Sequence, residues 1–170
     1  MIVALVIVQM LLYVTVRAMP LVMSRQDQTP PSIDRGVRPW AIVLIVVTLI
    51  QIALGTQVRG GVDAALDAGV ARDAALATVG TLDFLHRDAA FVTLLGAVLL
   101  LFWLVVRGGS LALIRWSWVV LGLSVAQVAV GAVMAYVSLL PGAQVMHLTL
   151  ASLLLGAETV LWLWSWRGSV

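Results

Sequence analysis

Cysteine and lysine are absent from this sequence of 170 residues, and charged residues make up only 11% of it. Without cysteine the chain has no disulfide, no thiolate metal site and no cysteine nucleophile. A water-soluble domain has about 25% charged residues, so the sequence is too poor in polar residues for a soluble catalytic domain. The net charge of +2 is small and dispersed, which argues against a nucleic-acid partner.

Hydrophobic residues account for 62% of the chain, and the mean hydropathy is +1.10. A bilayer-spanning helix needs roughly 20 mainly apolar residues, so the length suits five apolar segments with short loops. These segments cover residues 1–16, 40–58, 84–106, 116–140 and 143–166. The first is short for a span and lacks the basic start of a signal peptide. We expect it to be the remainder of a helix that begins upstream.

The predicted fold is therefore an all-α integral membrane protein in a lipid bilayer. It comprises an N-terminal apolar helix (1–19), a cytoplasmic linker (20–39) and a four-helix transmembrane bundle made of two helical hairpins (40–166). Pro30 and Pro31 are expected to break any helix in the linker. A loop is predicted from Arg59 to about Thr81, with a short helix at residues 71–77.

Arginine placement predicts the orientation, because basic residues in short loops stay on the cytoplasmic side. The N-terminus is expected outside and the C-terminus inside a bacterial-type cytoplasmic membrane. Two loop arginines, Arg59 and Arg72, fall on the outer side. The cytoplasmic side receives Arg17, Arg25, Arg35, Arg38, Arg107, Arg115 and Arg167, and the tryptophans fall at the same helix ends.

A spaced pair of residues repeats in the two predicted hairpins, as Gln51-x-x-x-Gly55 and Gln127-x-x-x-Gly131. Small residues let transmembrane helices approach closely, and we interpret the glycines in that way. Each pair is followed by a span with one histidine near its outer end.

These histidines, His86 and His147, are the only two in the chain. At 1.5 Å per residue, both lie roughly 4–8 Å below the starts of their spans. The two spans run in the same direction, so the rings can meet at one depth. This arrangement suits axial ligation of a heme iron from both sides. Met134 or Met146 is an alternative thioether ligand, and an interfacial polar role is the alternative for the histidines.

Glu158 is the one carboxylate deep in a predicted span. An ionised carboxylate there costs about 2.5–3.5 kcal/mol. We therefore favour a neutral acid bonded to a neighbouring helix through a glutamine, Thr48 or Ser124, with a proton route as the alternative.

Arg87 and Asp88 directly follow His86, and a local interfacial pair is the default interpretation. Arg87 and Arg59 are also placed to meet an anionic group such as a heme propionate. The remaining acidic side chains of the outer loop are predicted to be solvated; they are Asp63, Asp67 and Asp73.

Four features of the sequence together resemble the heme A synthase family. They are the stretch from Gln51 to Arg59, the Phe-Leu-His-Arg sequence that ends at Arg87, the second Gln-x-x-x-Gly pair and His147. The likeness covers residues 40–166 and is closest to the C-terminal half of the family's eight-helix protein. It implies two similar four-helix bundles, of which the N-terminal one holds the heme O to be oxidised. The C-terminal one holds a heme b for electron transfer, and His86 and His147 match its histidines.

The departures from the family pattern concern the substrate half. The family carries a catalytic glutamate and often a cysteine pair in the first outer loop of its N-terminal bundle. This chain has no cysteine, and Gly60 and Gly61 stand where an acidic residue would be sought. We therefore expect a heme b-binding half without its own substrate site, which works with an N-terminal-type bundle or as a homodimer. The alternatives are a heme-free membrane scaffold or assembly factor and a small bis-histidine transmembrane cytochrome.

The topology is tested by reporter fusions after Gly69 and after Val170. The seven-to-two split of loop arginines predicts an external signal at Gly69 and a cytoplasmic signal at Val170. Equal signals at the two positions would contradict the topology and the common depth of the histidines.

Overall fold

The computed structural model describes residues 9–11, 13–15, 18, 31–137 and 139–167. Four long helices form its body: α1 (Pro31–Asp67), α3 (Thr81–Arg107), α4 (Leu111–Tyr136) and α5 (Pro141–Arg167). The short helix α2 (Arg72–Ala75) and a 3-10 helix (Leu76–Val79) connect α1 to α3. Each long helix is long and apolar enough to cross a membrane. The prediction of an all-α integral membrane bundle is confirmed.

The N-terminal apolar helix and the linker are described only in part. Residues 9–11, 13–15 and 18 are helical, and the rest of the segment up to residue 30 lies outside the described residues. The division of the chain at residues 19 and 39 stays a prediction.

Helix α1 is much longer than the predicted span. It begins at Pro31 rather than residue 40, because proline is well suited to the first turn of a helix, where its missing N–H loses no bond. It also continues past Val58 to Asp67, so the predicted loop start at Arg59 is wrong. Packing explains this extension: Val62 is buried, and a Cβ on Gly61 would lie 3.1 Å from Val79 Cγ2.

The other boundaries follow local capping. Helix α3 ends where Gly108 adopts a left-handed conformation and its N–H bonds to the last carbonyls of the helix, which confirms the predicted turn at residues 107–109. Helix α4 begins earlier than predicted because the Ser110 hydroxyl accepts a bond from the Leu113 N–H. It ends at Tyr136 rather than residue 140, and Pro141 opens α5.

The four long helices pack in a ring. Helix α1 contacts α3 and α5, and α4 contacts the same two helices. The pairs α1 with α4 and α3 with α5 are therefore diagonal across the bundle. The inner faces supply an apolar core, whose fully buried members include Leu44, Leu100, Leu104, Val120 and Leu161. Large apolar side chains cover the outer faces, as expected where lipid replaces water.

One end of the bundle, here named the tryptophan end, is closed by side chains of α1, α3 and α5. Arg38 donates to the Ser165 carbonyl at 3.3 Å and lies 4.0 Å from the Trp166 ring centroid. The arginine satisfies a carbonyl near the end of α5, where a positive charge also favours the helix dipole. Trp103 packs over Gly36, since a Cβ there would come within 2.6 Å of its ring. These contacts hold the helices together at this end of the bundle.

Glu158 is fully buried in the bundle. Thr48 Oγ1 on α1 donates to its Oε1 at 2.9 Å. Of the three partners predicted from the sequence, Thr48 is therefore the one that bonds. Ser124 bonds instead to the Val120 carbonyl of its own helix.

Candidate functional site

His86 and His147 come together inside the bundle, opposite the tryptophan end. Each lies in the second turn of its helix, His86 on α3 and His147 on α5. Because these helices are diagonal, the rings face each other across the bundle axis. Their centroids are 6.2 Å apart and their planes are inclined by 68°. The rings meet at one depth, as the sequence predicted.

A glycine lies against each histidine ring. A Cβ on Gly55 would lie 3.1 Å from His86 Cε1, and one on Gly131 would lie 3.4 Å from His147 Cε1. The first distance is tighter than an ordinary contact, and the second is a normal van der Waals contact. Gly55 therefore makes room for the His86 ring, whereas the space beside His147 would also admit a Cβ at position 131.

The glutamine of the first pair holds its histidine through the backbone. The Gln51 carbonyl lies 3.2 Å from His86 Nδ1, and since a carbonyl only accepts, this bond needs the proton on Nδ1. Nε2 is then free to bind a metal. The Gln51 side chain is fixed in turn, because its Oε1 accepts from Thr93 Oγ1 at 3.1 Å.

The second pair is less completely bonded. Gln127 lies near the His147 ring, but His147 Nδ1 and Gln127 Oε1 are buried without a hydrogen-bond partner among the described residues. Buried polar atoms without partners are uncommon in proteins. The Gln127 backbone faces the His147 ring as the Gln51 backbone faces the His86 ring, and only the Gln51 contact meets hydrogen-bond geometry.

A cavity of about 440 Å³ lies between the hairpins, within the roughly 300–1,000 Å³ usual for ligand sites. Both histidines and both Gln-x-x-x-Gly pairs line it, and its walls are mostly apolar. Along α1 it extends from Thr48 to Asp63. Such a cavity suits a large apolar ligand with a few polar anchors.

The predicted arginines both line this cavity. Arg87 forms a salt bridge with Asp83 and donates to the Tyr136 hydroxyl at 3.1 Å. The predicted pairing with Asp88 is wrong, since residues four apart share a helix face and adjacent residues do not. Arg59 is more exposed and lies 3.5 Å from Asp63.

The acidic side chains of the predicted outer loop are all exposed. Asp63 and Asp67 belong to α1, however, and only Asp73 lies in the connection, on α2. The predicted placement of Asp63 and Asp67 in a loop was wrong, and the exposure of all three side chains agrees with the prediction.

Three further residues support the site without having been singled out from the sequence. Thr93 follows His86 by two helical turns, a spacing that places both on one face and that would have indicated it. Asp83 is four residues before Arg87, the ordinary spacing of a helical ion pair. No sequence pattern indicates Tyr136, because its contact with Arg87 joins two helices. Of the alternative thioether ligands, Met134 lines the cavity and Met146 is half exposed.

Within the described part of the chain, no three His, Cys, Asp or Glu side chains converge in a way that could hold a metal ion. A protein-only metal site usually takes four ligands, or three and a water. Two facing histidines therefore fit a metal that brings its other ligands with it, as heme iron does.

One family of known proteins matches the chain. A model of the COX15-CtaA family, described as cytochrome oxidase assembly protein, matches residues 1–159. Comparisons with curated proteins and with solved structures gave no match. Since the family match spans most of the sequence, the chain belongs to the COX15-CtaA family of cytochrome oxidase assembly proteins, the heme A synthase family.

Proposed function

We propose that His86 and His147 hold one heme b between the two hairpins. The 6.2 Å between their ring centroids carries this proposal. Imidazole nitrogens bind zinc, another first-row metal, at about 2.0–2.1 Å, so two nitrogens on opposite sides of one ion are about 4 Å apart. The ring centroids, just beyond those nitrogens, then lie roughly 6 Å apart. The observed separation fits that arrangement.

The chain's own groups orient the ligands and the charged edge of the cofactor. The Gln51 carbonyl on His86 Nδ1 fixes the tautomer that leaves Nε2 for the metal. Arg87 is held in place by Asp83 and Tyr136, so its guanidinium is oriented before an anion arrives. Arg87 and the more exposed Arg59 would bind the propionates. When bound, heme b supplies one-electron transfer.

Membership in the heme A synthase family suggests which reaction this electron transfer would serve. We propose that the chain is the heme b-binding half of a heme A synthase-like oxidoreductase that relays electrons for oxidation of heme O to heme A. Two histidines on one iron leave no open position for oxygen chemistry. The substrate would bind in an N-terminal-type bundle or in a second copy of the chain.

The histidine variants test the site. Purified from membranes, the full chain should show the reduced-minus-oxidised spectrum of a low-spin heme b. His86→Ala or His147→Ala should lose the heme or make it high-spin, because each opens a coordination position. Met134→Leu, a change at the same cavity, should leave the spectrum unaltered.

Unchanged spectra in both histidine variants would contradict the proposal. If the wild-type protein purified without pigment, the result would favour a heme-free assembly factor, a role that the family description also covers.

The glycine contacts make a graded prediction. Gly55→Ala should lower the heme-to-protein ratio more than Gly131→Ala, because its new methyl group comes closer to a histidine ring, at 3.1 Å against 3.4 Å. Gly60→Ala is the matched control: it lies on the same helix as Gly55, and a Cβ there meets nothing within 4 Å. An equal loss of heme in all three variants would show that the glycine–histidine contacts do not matter.

An assay with heme O as substrate tests whether this chain needs a separate substrate-binding bundle. The purified chain, shown to be monomeric in detergent, should not form heme A, whereas coexpression with an N-terminal-type partner or dimerisation should restore turnover. Turnover by the monomer would contradict the half-enzyme proposal. Heme binding with no turnover under any pairing would favour a small transmembrane cytochrome that serves another partner.

A further inference from the structure

Glu158 has one oxygen bonded and one oxygen without a partner. Thr48 Oγ1 donates to Oε1, while Oε2 is buried with no hydrogen-bond partner among the described residues. The side chain is fully buried. Packing alone does not account for this arrangement, because an apolar residue would fill the space without leaving a polar atom unbonded.

Thr48 connects this carboxyl group to the histidine cavity. Its side chain lines the cavity that contains His86 and His147, and its hydroxyl donates to Glu158. A hydroxyl has one donor and two acceptor positions, so Thr48 can accept a bond from a molecule in the cavity while it donates to the carboxyl group. A proton could therefore pass from a molecule in the cavity to Glu158 along two hydrogen bonds, one accepted and one donated by the Thr48 hydroxyl.

Among the described residues, no other buried side chain near Glu158 is titratable. The buried side chains of α1, α3 and α4 are all non-titratable in the described part of the chain. Along α5, His147 lies three turns away towards the cavity. In the other direction, Arg38 meets the Ser165 carbonyl about two turns away.

We propose that Glu158 exchanges a proton with the histidine cavity through the Thr48 hydroxyl, taking up one proton when an electron enters that cavity and releasing it when the electron leaves. The inference rests on the proposed heme site. The electron comes from an external one-electron donor, and the proton comes from bulk solvent through water in the cavity. On uptake, Thr48 Oγ1 passes a proton to a Glu158 carboxylate oxygen and receives one from a cavity water. That water regains a proton from the solvent, so the added negative charge is compensated.

The size of the effect follows from distance. Eleven residues of helix place Glu158 about 16 Å from His147. A unit charge at that distance, in a medium of effective dielectric constant about 20, changes a proton-binding constant about fivefold. For a one-electron couple this corresponds to about 40 mV between the protonated and deprotonated limits.

The test measures the heme midpoint potential against pH, with redox-induced infrared difference spectra of the same samples. Wild type should show a potential that falls as pH rises and a carboxylic-acid C=O band that changes on reduction. Glu158→Gln should keep the heme and lose that band. The change in midpoint potential between low and high pH should become smaller by about 40 mV. Thr48→Val should shift the band, because it removes the bond to Oε1, and Thr48→Ser should retain it.

Thr159→Val is the matched control, because its hydroxyl bonds only to the Leu155 carbonyl of its own helix. It should resemble wild type in both measurements. If Glu158→Gln does not fold, the Thr48 variants still test the path with the carboxyl group intact.

The outcomes separate this inference from the heme assignment. Bound heme with the same pH dependence and the same infrared band in Glu158→Gln, or with no band shift in Thr48→Val, would overturn the proton exchange alone. Absence of heme from wild type would overturn both.

Discussion

In each hairpin, the contact between the histidine ring and a glycine on the neighbouring helix marks the register of the two helices. A Cβ on Gly55 would come within 3.1 Å of the His86 ring, so that ring would have to shift, whereas a Cβ on Gly131 would make an ordinary contact with the His147 ring. The two contacts lie at the same level of the bundle. The 6.2 Å between the rings and the cavity around them depend on this register, since sliding either hairpin by one turn would displace a ring by about 5.4 Å.

The two hairpins use the same residues with different degrees of support. In the first, the backbone of Gln51 meets His86 and its side chain meets Thr93, so the ring is held through two helices. In the second, His147 Nδ1 and Gln127 Oε1 have no partner in the described structure. The first hairpin is also steadied by the extended α1 and the 3-10 helix that packs on Gly61, while the second is closed by a short turn before Pro141. A ligand between the rings would therefore meet one histidine held by a well-formed hydrogen bond and one whose backbone contact falls short of that geometry.

The sequence predicts the parts of this structure that depend on composition and spacing. Four spans follow from hydropathy, and the meeting of His86 and His147 follows from their equal depth in parallel spans. Contacts between helices are a different matter, because they depend on rotation about each axis. The continuation of α1 through Gly60 and Gly61 results from packing on Val79 and overrides the poor helix propensity of glycine. The choice of Thr48 over Ser124 as partner of Glu158 depends in the same way on which face α1 and α4 turn inward.

The histidine cavity and the tryptophan end lie on opposite sides of the bundle's apolar core. Arg38, Trp103 and the buried leucines close the tryptophan end, whereas the cavity reaches from Thr48 along α1 to Asp63 and is flanked there by Arg59 and Arg87. Arg59 and Arg87 thus border the part of the cavity where water, ions or the charged edge of a ligand would approach the histidines. Glu158 lies at the inner limit of the cavity and touches it through Thr48. A charge that enters the cavity is screened by water near the arginines and is poorly screened near Glu158. In the proposed proton exchange, a charge in the cavity therefore acts on Glu158 although the carboxyl group lies farther from the rings.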